Sequence, residues 1–311
     1  MVKLNANGGW VGEEAAAKTA ALVAAALWAV AITIFTFTAR RLGPQMVNGA
    51  RLLLAATLLA VGHAVLFGGF WPAGLGGSRT LWLLASGFIG FTLGDGFGLE
   101  SFVRVGPRLG MLVQTLAPVF STALAWAAFS QRLSLLRLLA VAVTIAGIAL
   151  VVARGPEAGN PAAARTRWVG LLFALLAALC QAVGQLTSVR GMEGGVPALS
   201  ATVVRISAGA AGALALLALR GRLGDLRGAW ADRRTLAQFL GGTALGSLLG
   251  VPLSLYALAH APMGVAATLL FMTPVFLLPL SRIFFHEPLT LRSVGGTLLT
   301  VAGAAGLFLF P

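Results

Sequence analysis

Hydrophobic positions along this chain do not alternate with polar ones. They run in continuous blocks rich in Ala and Leu, separated by short stretches of Arg, Gly and Pro. A bilayer core is roughly 30 Å thick and a helix rises about 1.5 Å per residue, so a span needs about 20 apolar residues. Ten stretches meet that length: 19–37, 48–67, 80–100, 109–129, 134–153, 168–189, 198–219, 236–258, 263–283 and 291–310. None has the period-2 alternation of a barrel strand. The pattern predicts an all-α polytopic membrane protein with ten transmembrane helices.

The pattern also repeats. Pro-Val-Phe stands at 118–120 and again at 274–276, an offset of 156 residues. Between 118–150 and 274–306, eleven of thirty-three positions are identical without a gap, Phe129/Phe285, Thr144/Thr300 and Gly147/Gly303 among them. The third span of each half carries small residues four apart: Ser86, Gly90, Gly94 and Gly98, then Gly242, Gly246, Gly250 and Ser254 at the same offset. Such stripes let helix backbones approach closely in lipid. Residues 154–167, "RGPEAGNPAAARTR", read as a linker. The divisions are an N-terminal segment 1–18, a five-helix repeat over 19–153, the linker, and a second repeat over 168–310. Five spans is an odd number, so the second repeat enters the membrane from the opposite side. Two inverted five-helix repeats form the architecture of many secondary transporters.

Composition narrows the class. Hydrophobic residues make up 58% and charged residues 10% of the chain, against about 25% charged in a soluble domain. The net charge of +13 sits on Arg residues scattered over short connections, which argues for lipid headgroups and topology, and against nucleic acid. The lone Cys180 allows no disulfide within the chain, and the few acids give no metal set. The chain has no GxxxxGK[ST] loop for ATP and no HExxH, so no cofactor is expected.

The stretches "LGDGFGLESFVRVGPRLGMLVQTLAPVF" (93–120) and "YALAHAPMGVAATLLFMTPVFLLPLSRIFFHEPLTLRSVGGTLLTVAGAAGLF" (256–308) resemble the drug/metabolite transporter superfamily, EamA type. The resemblance covers about 19–310 and implies a central cavity lined by both repeats and export of small metabolites. The family pattern places an acid after the fourth helix of each repeat. Glu287 matches it, and Gln131 departs from it.

Several residues are candidates for a polar site. Asp95 lies inside a span, where a carboxylate costs roughly 2.5–3.5 kcal/mol on insertion scales. It either couples proton movement to transport or makes a structural bond, with Arg51 as one partner. Arg51 and Arg205 either snorkel to headgroups or face the cavity and attract a substrate carboxylate. Glu100 and Arg104, four apart, suit an ion pair. Gln181 and Gln185 share a face of the sixth span with Ser188, and Gln114 lies on the fourth. Trp28 and Tyr256 are candidate aromatic contacts. Pro118, Pro252 and Pro274 mark helix breaks.

The readings in order are a secondary exporter of amino acids or related amphipathic compounds, with proton coupling as one option; a lipid or polyprenyl-carrier translocase on the same fold; and a membrane-embedded enzyme, which lacks its motifs. No catalytic residues are expected. The expected partners are a small-molecule substrate, the bilayer and, where transport is proton-coupled, protons. The expected state is a monomer or homodimer in the cytoplasmic membrane. With the N-terminus inside, inner loops hold six Lys/Arg and outer loops fourteen, so loop charge favours termini outside. The resemblance implies termini in the cytoplasm.

Overall fold

The computed structural model describes residues 11–129, 134–153 and 161–309. All regular structure among them is helical. The first half contains α1 (Val11–Leu42), α2 (Pro44–Phe67), α3 (Gly77–Val105), α4 in two pieces (Pro107–Gln114 and Ala117–Phe129) and α5 (Leu135–Val152). The second contains α6 (Pro161–Met192), α7 (Ala198–Leu219), α8 in consecutive pieces (Arg233–Thr243, Ala244–Gly250, Val251–His260), α9 in two pieces (Met263–Leu270 and Thr273–Phe285) and α10 (Leu291–Leu309). A short helix, Asp225–Ala231, joins α7 to α8.

Among the described residues, nine helices are long and apolar enough to cross a membrane. The fourth stretch of the sequence, 109–129, is not one of them. Its helix stops at Gln114 and restarts at Ala117 because Pro118 has no N–H to donate and its ring excludes the carbonyl four residues back. Pro274 acts likewise in α9, which stops at Leu270 and restarts at Thr273. There the Thr273 hydroxyl donates to the Leu270 carbonyl at 3.1 Å, satisfying one group the break leaves free. Helix α6 begins at Pro161, inside the stretch expected to be linker.

The third helix of each repeat contains a π-helical segment, Phe88–Gly94 in α3 and Ala244–Gly250 in α8. The two are 156 residues apart. Sequence reading anticipated the small residues there but not the widened turn. A π turn leaves backbone carbonyls poorly paired, and the small residues bring neighbouring helices in to use them. Asn48 of α2 donates to the Phe91 and Thr92 carbonyls of α3, and just before that segment Ser86 donates to the Gly184 carbonyl of α6 at 2.6 Å. The Trp28 indole of α1 donates to the Gly246 carbonyl of α8 at 3.1 Å.

The inversion is visible in helices that meet their own counterparts. In α5 and α10, a side chain on Gly147 would strike Thr300, one on Gly303 would strike Thr144, and one on Gly296 would strike Val151. Residue numbers rise on one helix as they fall on the other, so the two run antiparallel. Residues identical in the sequence repeat thus face each other across the pseudo-twofold axis. Helices α2 and α7 show the same sense. Gly49 lies against Leu217, and His63 Nε2 is 2.9 Å from Ser200 Oγ.

The halves also exchange partners. Helix α1 packs on α8 and α9 of the second repeat, and α6 packs on α3 and α4 of the first. Two interlocked bundles result, joined through α2 and α7. We name the membrane face where α1 begins and α10 ends the terminal face, and the other the distal face.

Candidate functional site

A polar cluster occupies the seam where α3 meets α2 and α6. Asp95, the first residue after the π segment, makes an ion pair with Arg51 Nη2 of α2. Its other oxygen accepts from Gln181 Nε2 of α6 at 2.8 Å. Arg51 also donates to Asn48 Oδ1 at 2.9 Å, one turn earlier on α2. Asn48 in turn donates to the carbonyls of Phe91 and Thr92 at 3.0 and 3.2 Å, inside the π segment. Each carboxylate oxygen therefore has a donor, and the charge of Arg51 is balanced within the bundle. The Arg51 and Asp95 side chains are only 20% and 19% exposed, which makes pairing decisive at this depth.

Arg205 of α7 also turns inward. Its Nε donates to Ser86 Oγ at 2.9 Å, and its guanidinium lies 5.1 Å from the centre of the Phe91 ring. Close approach is possible because Gly87 of α3 abuts the Arg205 backbone. Both arginines thus meet acceptors on α3, Arg51 at Asp95 and Arg205 at Ser86. Asn48 was missed in the sequence. The sequence offered only an amide at the start of a predicted span; its burial, and hence its need for partners, comes from the fold.

The other candidates sit apart from this cluster. Trp28 is engaged by the π segment of α8, which gives it a structural role. Tyr256 is 37% exposed and stacks on His260 at 4.3 Å. Gln114 lies against Gly98 of α3, and its Nε2 is buried with no hydrogen-bond partner. Gln185 is exposed, although Ala174 and Ala178 on the same side of α6 are buried. That side is therefore covered toward the distal face and open toward the terminal face. Pro252 follows the π segment of α8. Glu100 pairs with Arg104 at 3.1 Å. Gln131 lies outside the described residues. Among the described residues no three His, Cys, Asp or Glu converge.

The two ends of the seam differ. At the distal face the first piece of α4 packs on the second piece of α9, and α1 reaches α4 and the end of α3. The symmetry-related contacts at the terminal face would join Ala117–Phe129 to Met263–Leu270, and α6 to the ends of α8 and α9. Among the described residues these do not form to a comparable extent. Among the described residues, then, the seam is packed at the distal face and has no comparable contact at the terminal face.

The profile of the EamA-like transporter family matches residues 16–153 and again 168–309. The chain belongs to the EamA-like transporter family. It is a multi-pass membrane protein and a transporter of the drug/metabolite superfamily. A solved crystal structure superposes with a TM-score of 0.62 at 18% identity, covering 94% of this chain and 96% of the other, and so shares the fold. No curated protein matches the sequence.

Proposed function

We propose that this EamA-family protein is a secondary transporter that exports small amphipathic metabolites, amino acids or close relatives, by alternating access. The observation that carries the proposal is the inequality of the two ends among the described residues: inverted repeats with the seam packed at one face and without comparable contacts at the other. Related states, with the inequality reversed, follow from the pseudo-twofold axis. The fourteen Lys/Arg that lie toward the distal face make it the cytoplasmic one by the positive-inside tendency. On that orientation the termini lie outside and the parted seam faces out across the cytoplasmic membrane. Catalysis is not part of the proposal, because no acid–base or nucleophile pair accompanies the polar cluster.

The Arg51–Asp95 pair suggests how protons enter. A substrate carboxylate needs Arg51, which Asp95 occupies. Protonating Asp95 removes its charge and frees the guanidinium fork for the substrate. Counterflow in proteoliposomes, screened over amino acids and related amphiphiles with and without a pH gradient, tests the proposal. The expected result is saturable exchange whose pH dependence is lost in Asp95→Asn. Exchange by Asp95→Asn with the wild-type pH dependence would remove the coupling. Absence of counterflow for every solute would remove the substrate class.

A second reading, a lipid or polyprenyl-carrier translocase, draws on a recess that adjoins the cluster and shares Asn48 and Thr92 with it. A cavity of about 280 Å³ lies between α2, α3, α6 and α7, with Leu93, Phe97 and Phe173 on its walls and Gln45, Glu100 and Arg220 as polar groups. Apolar walls with charged groups suit an amphiphile entering from the bilayer.

A further inference from the structure

We propose that the ion pair between Arg108 and Glu287 is a latch that holds the distal end of the seam shut and sets the resting state of the protein. The inference rests on the alternating-access reading. It adds the residues that bias the equilibrium between the two states.

The pair spans the two repeats at the closed end. Arg108 stands in the first turn of α4, and its Nε donates to Glu287 Oε2 at 2.8 Å. The side chains are 12% and 18% exposed, so water screens the attraction poorly. Three local features aim Glu287 at this spot. Helix α9 ends at Phe285, and His286 takes the left-handed conformation at φ 54°. The N–H groups of His286 and Glu287 both point to the Ser281 carbonyl, which turns the chain back over the helix end. Opposite, Gly106 has φ +84° and no side chain, and Glu287 Oε1 occupies the space where a Cβ would be. Any other residue at 106 would push the carboxylate away. Beside the pair, Phe285 stacks on Phe37 of α1 at 4.6 Å, and Arg40 lies over the same ring at 4.6 Å.

In the sequence, the positions equivalent to the latch carry no such pair. The repeat offset carries Arg108 to Gly264 and Glu287 to Gln131, so both charges are absent from the equivalent positions in the sequence. The contact that the pair bridges, between the first piece of α4 and the second piece of α9, is also the one without a comparable partner at the terminal face. Unequal chemistry at equivalent positions gives the two states unequal free energy, which is what a resting bias requires. Opening the distal end breaks the pair.

The test reads access to the closed end. Cys180, the single cysteine, is replaced in Cys180→Ala, and reporters are placed by Ser281→Cys on α9 and Met111→Cys on α4. Ser281 is wholly buried and Met111 partly so. Purified protein in nanodiscs, without substrate, is treated with a membrane-impermeant maleimide. The expected result is slow labelling with the pair intact, a rise of about tenfold with Glu287→Gln or Arg108→Gln as the closed population falls, and a return to slow labelling in the swap Arg108→Glu with Glu287→Arg. Melting curves confirm that each variant is folded. Labelling that stays slow in both single variants overturns the latch, as does a swap that labels as fast as they do. Because no substrate is present, a counterflow failure bears on the substrate class and leaves this result standing.

Discussion

Helices α3 and α8 are the same device used in two ways. Both carry small residues four apart, both widen into a π segment at equivalent positions, and both hydrogen-bond to a helix of the other repeat, α8 as acceptor from Trp28 and α3 as donor to Gly184. One of their differences bears on charge. Directly after its π segment α3 has Asp95, paired to Arg51 and Gln181, where α8 has Val251. Helix α8 is instead held to α1 by packing, with Gly242 against Phe35 and Gly250 against Trp28. The contacts that make the fold are thus written twice. The charges that would make a transport cycle directional are written once, at Asp95 in the seam and at Arg108–Glu287 across its distal end.

The comparison breaks most severely at Asp95. Asp95→Ala leaves Arg51 without its counter-charge in the bundle, and removing one partner of a buried pair costs about 3–5 kcal/mol. Val251→Ala removes only two methyl groups from a partly buried site and costs about 1–2 kcal/mol. Thermal melting in nanodiscs is expected to rank Asp95→Ala far below Val251→Ala. Restoration of stability in the double variant Asp95→Ala with Arg51→Leu would place the loss in the unpaired charge. Equal melting of the two single variants would dissolve the distinction between the helices.

The duplicated contacts sharpen the comparison from the other side. Gly147→Val and Gly303→Val each force a side chain into the facing helix, against Thr300 and Thr144 respectively. Overpacking of this kind costs about 1–3 kcal/mol, and the two losses are expected to match. Gly295→Ala, where a Cβ meets nothing within 4 Å, serves as the neutral control. A large difference between Gly147→Val and Gly303→Val would contradict the symmetry of the α5–α10 seam.

These features were unequally legible in the sequence. The offset of 156 pointed to the repeat, because residues that pack backbone to backbone tolerate little besides Gly, Ala, Ser and Thr. Asp95 stood out because a carboxylate is expensive in lipid, and Arg51 was named as a partner. Arg205 and Trp28 were harder. Each has a general use at membrane depth, and only the spatial neighbour, Ser86 for one and the Gly246 carbonyl for the other, selects between uses. The π segments were hidden because the same small residues also suit a regular helix. Glu287 was noted as a family acid, yet its partner Arg108 lies 179 residues away and no spacing rule joins them.

Two smaller effects follow. Trp28→Phe keeps the ring and removes the donor to Gly246, so a loss of about 0.5–1.5 kcal/mol is expected in the same melting assay. At the start of α8, Asp232 caps the helix, and hydrogen bonds from the Thr235 hydroxyl first, then from the Thr235 and Arg234 amides and Arg41, hold its carboxyl below the usual carboxylate range. A depressed carboxyl contributes stability above its unfolded pKa of about 3.9 and loses it as pH falls through the folded value. Wild type and Asp232→Asn are therefore expected to differ slightly near neutral pH and to converge in acid. A gap that widens in acid would reverse the sign.

The inequality of the two ends is open to direct measurement. Spin labels at Leu109 and Leu280 bracket the distal seam, and labels at Val265 and Leu124 occupy the symmetry-equivalent sites at the terminal seam. Distance distributions in substrate-free nanodiscs are expected to be short and narrow for the first pair and longer for the second. Two distributions that coincide would contradict the account.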